Sequence, residues 1–128
     1  MDGVFHEHVL EHLPIKVGFQ FLCECRRVLK QGGILRVCVP DAGACIDSYA
    51  GKISSQWADS APVPMMAVEK LFYEHQHVAM YDATKLTAMM RLAGFREVAQ
   101  RQYGDSALSP IPDTERRSAG GLRVEGIR

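Results

Sequence analysis

A chain of 128 residues is long enough for one domain with a modest core. Its 47% hydrophobic and 23% charged residues exclude a disordered polypeptide, and fifteen basic against fifteen acidic residues leave no charge excess to favour nucleic acid or an anionic membrane. No apolar run approaches the roughly 20 residues of a spanning helix, and the opening, with Asp2, His6, Glu7 and His8, lacks the basic start and apolar centre of a signal peptide.

In chain order, residues 2–6 suit a short buried strand. Residues 14–31 follow as a helix, with Pro14 in its first turn and an apolar stripe of Val17, Phe21, Cys25 and Val28, joined by Leu22 and Leu29. Gly32-Gly33 ends it, because glycine accepts the left-handed conformation beyond a helix C-terminus. Ile34 to Val39 is nearly all apolar and reads as a strand covered on both faces, so the opening forms one right-handed βαβ unit. Ala44 to Tyr49 makes a short helix. Residues 51–64 read as loop and hold Trp57, which either lines a pocket or covers the edge of the core. Val63 to Tyr73 has helical spacing and leads into a second histidine-rich stretch, residues 74–82. Asp82 caps a helix with Leu86, Met89, Met90 and Ala93 on one face, closed by Gly94. A strand over 95–103 and a last strand over 122–127 are expected to pair antiparallel, with loop between them that includes Arg116-Arg117. Cys23, Cys25, Cys38 and Cys45 form no Cys-x-x-Cys pair and read as small buried residues of a reducing, cytoplasmic compartment.

The first strand stops abruptly at a dense polar cluster. Three histidines fall within residues 6–12, beside Glu7 and Glu11. A core strand gains nothing from them, and ligands bind at the carboxyl ends of strands in open α/β sheets, so this stretch is the candidate site. His8, Glu11 and His12 stand at i, i+3 and i+4, which on a helix would share one face in a metal-ligand pattern.

Asp-Gly-Val-Phe-His-Glu-His-Val-Leu-Glu-His-Leu, followed by Arg-Arg-Val-Leu-Lys-Gln-Gly-Gly-Ile-Leu-Arg-Val-Cys-Val-Pro-Asp, resembles the second half of the class I S-adenosylmethionine-dependent methyltransferases, of the methyltransferase type 11 kind. Gln31 stands where that family usually has proline. Met80-Tyr81-Asp82 and Ala93-Gly94-Phe95 are similar to the family's last third. The resemblance implies an α/β, partial Rossmann-like fold running from the family's fourth strand through helix D, strand five, helix E and strand six to strand seven, a mixed sheet with an antiparallel last strand. It also implies methyl transfer to a small-molecule acceptor that the sequence does not identify. Phe5, His6 and Glu7 would line the cofactor. His8, His12 and His77 would serve the acceptor as catalytic residues, histidine being suited to a base by its near-neutral pKa. Glu11, Trp57 and Tyr81 would line the acceptor pocket. Some quinone-biosynthesis O-methyltransferases resemble the metal-ligand pattern too, but the same spacing arises from the ordinary strand-four motif, so no metal is expected.

One departure qualifies the resemblance. No Gly-x-Gly-x-x-Gly occurs in the chain, and the acid that binds the cofactor ribose after the family's second strand has no counterpart. The expectation is a single truncated domain over residues 1–128 with S-adenosylmethionine as its cofactor, whose binding the missing glycine-rich half could weaken or abolish. Its first strand would present an unpaired edge that recruits a second copy, as a homodimer or larger oligomer. The rival expectation is a catalytically inactive remnant acting as an oligomerising or partner-binding module.

Overall fold

The computed structural model describes residues 1–53, 63–113 and 121–128. Trp57 and Arg116-Arg117 lie outside the described residues. The elements are β1 (Gly3–Glu7), a single 3-10 turn (Leu10–His12), α1 (Ile15–Val28), β2 (Ile34–Pro40), α2 (Ala42–Tyr49), α3 (Pro64–Tyr73), α4 (Ala83–Leu92), β3 (Arg96–Arg101) and β4 (Gly121–Ile127). They build one four-stranded sheet in the order β1-β2-β4-β3. β1 runs parallel to β2, as a βαβ unit requires. β4 inserts antiparallel between β2 and β3, so the expected final strand pair is present and also closes on the first unit. The mixed α/β sheet with an antiparallel last strand is the expected one. Among the described residues no helix is long and apolar enough to cross a membrane.

Strand alternation divides the sheet into two unlike faces. Leu35, Val37 and Val39 of β2 and Leu122 and Val124 of β4 join Leu22 and Cys25 of α1 and Leu86, Met89 and Met90 of α4 in the main core. The opposite face carries charge: Arg36, Arg123 and Glu125 are buried there. Asp113 and the backbone of Gln102 and Asp105 close over Arg36. α2 and α3 pack on each other through Ala42, Cys45, Ala67 and Leu71, just past the carboxyl end of β2.

Helix α1 corrects the expected stripe. Val17 and Val28 are 44% and 38% exposed, and the buried positions are Gly18, Leu22 and Cys25. The reason is Gly18: a Cβ there would stand 3.3 Å from the Tyr81 hydroxyl and 3.6 Å from Leu10, so the helix turns its glycine inward to let both approach. The helix also ends earlier than expected, because Leu29 is extended and buries its own side chain in the core. The following turn needs glycine at both positions. Gly32 has φ of 77°, and a Cβ on Gly33 would lie 2.9 Å from the Lys30 carbonyl. Helix α4 matches its expectation closely: the Asp82 carboxylate accepts from the Lys85 amide at 2.7 Å, and Leu86, Met89, Met90 and Ala93 are all buried.

Candidate functional site

The site grows out of the end of β1. The parallel ladder runs one residue past Glu7, where the His8 amide donates to the Cys38 carbonyl at 3.0 Å. His8 then adopts a left-handed backbone, φ 56°, a conformation that costs a non-glycine residue about 1–2 kcal/mol. That reversal brings its Nδ1 to 2.9 Å from Oε1 of Glu11. Residues 8–12 therefore do not form the helical face that the i, i+3, i+4 spacing implied. His8 precedes a single 3-10 turn, whose Leu10 and Glu11 are buried while His12 faces outward.

The turn is tied to the second histidine-rich stretch. The Glu11 carbonyl accepts from the amides of Val78 and Ala79, at 2.8 and 3.1 Å. The His77 ring consequently meets the His12 ring edge-on, with centroids 4.9 Å apart, and His75 lies 5.8 Å beyond. The His77 Nδ1 sits 2.6 Å from the Leu71 carbonyl. A carbonyl only accepts, so in the neutral ring Nδ1 carries the proton and Nε2 keeps a lone pair. Burial holds the His77 pKa below the usual histidine range, against the pull of the Leu71 carbonyl and the Glu11 charge.

Glu11 is only 2% exposed. Its Oε1 is held by His8 and lies 3.9 Å from His12 Nε2. Its Oε2 is buried with no hydrogen-bond partner among the described residues. Glu7 is half-buried, 3.8 Å from His8 Nε2 and in hydrogen-bond contact with the Cys38 thiol, which burial pushes up to about 12. Acids and imidazoles thus alternate through the cluster.

The remaining expected site residues fall elsewhere. His6 points to the α1 side of the sheet, with its ring edge-on to Phe21 at 5.0 Å and both ring nitrogens buried without hydrogen-bond partners among the described residues. Burial pulls its pKa down to about 4, offset in part by the Glu11 charge. Phe5 lies on the other face, in a cavity of about 440 Å³ beside Asp2, Gly3, Ile34 and Leu108, away from the carboxyl end. Tyr81 is buried beneath α1, its hydroxyl without a partner among the described residues and its pKa raised by that burial. Its role in the fold is to join the two halves: its carbonyl accepts from the Ala42 amide at 2.9 Å, and it bridges Asp41. The structure therefore brings Glu7, His8, Glu11, His12 and His77 together, sets Phe5 apart, and leaves His6 and Tyr81 buried within reach of the Glu11 charge.

Comparison with known proteins agrees with the fold. A family model described as a methyltransferase domain matches residues 1–37. No curated protein sequence matches the chain. Among solved structures, the S-adenosylmethionine-dependent methyltransferase SibL aligns with 99% of this chain and 30% of its own, at 16% identity and a TM-score of 0.63. A SAM-dependent methyltransferase from Archaeoglobus fulgidus aligns over 100% of this chain and 59% of its own, at 16% identity and a TM-score of 0.62. A possible histamine N-methyltransferase from Thermotoga maritima aligns over 98% and 55%, at 22% identity and a TM-score of 0.57. The chain thus spans between 30% and 59% of the length of these structures. With a methyltransferase-domain match over its first 37 residues, the chain shares along its length the fold of part of these S-adenosylmethionine-dependent methyltransferases.

Proposed function

We propose that this chain takes part in S-adenosylmethionine-dependent methyl transfer, and that its acid and histidine cluster forms the acceptor side of the site. The observation that carries the reading is the position of Glu7, His8, Glu11, His12 and His77 at the carboxyl end of β1, where this class of sheet binds ligands.

The donor side is incomplete in the described residues. A sulfonium nucleoside with an amino-acid tail needs a glycine-opened turn between a strand and a helix. The nearest such position is Gly43 at the start of α2, and a Cβ there would lie 2.9 Å from Asp82, so that space is already filled. Glu7 supplies one carboxylate. No chemical step is therefore assigned to the donor. What the chain's own groups do is hold and orient a small-molecule acceptor and take its proton. His8 Nδ1 is positioned by Glu11, which leaves Nε2 to face Glu7 and the acceptor side. The four cysteines, none in a disulfide, fit the reducing cytoplasmic compartment expected for such an enzyme.

The test is a calorimetric titration with S-adenosylhomocysteine. Saturable binding that weakens in Glu7→Gln is expected. Silence from a folded protein overturns the catalytic reading.

A second reading is favoured by the same incomplete donor side together with β1, which pairs only with β2 among the described residues. On it, the chain is a non-catalytic methyltransferase-like module that associates with a second copy along that edge. Sedimentation at micromolar concentration is expected to give the mass of more than one chain, and a mass of one chain rejects it.

A further inference from the structure

We propose that Glu11, His12 and His77 form a binding site for a divalent transition-metal ion of the zinc type. One ligand atom from each residue lies within 4.8 Å of the other two. Bonds of about 2.1 Å in a tetrahedron set donor atoms about 3.4 Å apart, so closing the set takes about 1.4 Å of movement. His12 supplies it most readily, since its side chain is 40% exposed and faces solvent.

Three independent features of the cluster point to an ion. Among the described residues the Glu11 Oε2 is buried without a hydrogen-bond partner, and a carboxylate oxygen left so is costly unless a cation satisfies it. The His77 Nδ1 donates to the Leu71 carbonyl, which fixes the ring and leaves the Nε2 lone pair for a ligand; metal-bound histidines are oriented in this way by a second hydrogen bond. The ligand-bearing segments are also held together by backbone. The Glu11 carbonyl binds the Val78 and Ala79 amides, so the site is built before any ion arrives.

Two imidazoles and one carboxylate suit zinc, cobalt or nickel rather than calcium or magnesium, which take oxygen ligands. The outward face of His12 leaves a fourth position to water or an acceptor atom. With the ion bound, His12 and His77 serve as ligands and the proton-accepting role narrows to His8.

The experiment uses the full chain, purified without a polyhistidine tag and stripped with a chelator, then titrated with Co²⁺ and competed with Zn²⁺. One equivalent of Co²⁺ is expected, with a visible absorption band that Zn²⁺ abolishes. His12→Ala, His77→Ala and Glu11→Gln should each weaken binding at least about 10-fold, while His75→Ala leaves it unchanged. Binding no tighter than that of a His12→Ala/His77→Ala double variant, or binding lost only in His75→Ala, overturns the site. If His77→Ala does not fold, His12→Ala carries the comparison, because that side chain already stands partly in solvent. The titration contains no methyl donor, so failure to bind S-adenosylhomocysteine and failure to bind metal are separate results.

Discussion

Replacing Arg36 by methionine should destabilise the chain by about 3–5 kcal/mol at neutral pH, the cost of stripping one partner from a buried ionic group. The Arg36 side chain is fully enclosed, and every N–H of its guanidinium is used. Nε and one terminal nitrogen grip Asp113 at 2.9 and 2.5 Å. The other terminal nitrogen donates to Glu125 at 2.8 Å and to the Asp105 carbonyl at 2.9 Å, and the Gln102 carbonyl takes the fifth N–H at 3.1 Å. Methionine fills the volume and leaves two buried carboxylates behind. Arg123 and Arg101 remain only at 3.6 and 3.4 Å from them.

The pH dependence gives this prediction a second edge. Burial by itself raises the Asp113 pKa, but the Arg36 and Gly104 hydrogen bonds and the neighbouring charges outweigh it and hold the group below the usual carboxylate range. A lowered carboxylate contributes stability above its unfolded pKa and loses it as pH falls through the folded value. Arg36→Met removes that contribution, so its deficit against the parent should shrink as the pH is lowered. Urea unfolding of both proteins at pH 7 and in mild acid measures this. A neutral-pH loss under about 1 kcal/mol, or a deficit that does not move with pH, contradicts the ionic account of this face.

His6 should make the fold sensitive to acid. Its pKa drops from 6.5 to about 4 because burial strips water from the charged ring, with the Glu11 charge opposing the fall. The unfolded chain therefore binds the proton first. His6 contributes its stability fully above about pH 6.5 and loses it progressively as the pH falls toward 4. At about 1.4 kcal/mol per pH unit the whole effect is about 3 kcal/mol. His6→Leu removes the titration and keeps an apolar contact for Phe21. The difference in unfolding free energy between parent and variant should move by about 3 kcal/mol between pH 7 and pH 4, and a constant difference would show that the ring titrates in the fold as it does in the unfolded chain.

The elements that the sequence made plain were those marked by short-range chemistry. Asp82, the Leu86-Met89-Met90-Ala93 stripe and Gly94 define α4 without help from the rest of the chain. Gly32-Gly33 does the same for the turn into β2. The candidate site was legible as a place, since residues 6–12 are too polar for a core strand. It was less legible as a set of residues. Reading Phe5, His6 and Glu7 into one pocket ignored strand alternation, which sends His6 toward Phe21 and its two neighbours to the opposite face. The buried face of α1 was misjudged because Gly18 counts as a weak helix residue in a pattern, yet it governs how closely Tyr81 and Leu10 approach. The contact between His12 and His77 depends on the Glu11 carbonyl holding a distant loop, which no local spacing encodes. Arg36 was passed over inside a strand read as nearly all apolar, and its partner Asp113 lies in a segment without periodicity.

The account's central claim is that ligands meet this chain at the carboxyl end of β1, between the two histidine-rich stretches. Amide shifts of the isotopically labelled protein, followed as S-adenosylhomocysteine is added, test it residue by residue and register weak binding as well as strong. The shifts should concentrate in residues 7–12 and 77–81. Shifts confined to the cavity at the amino end of β1, around Asp2, Ile34 and Leu108, or no shifts at all from a folded chain, would contradict it.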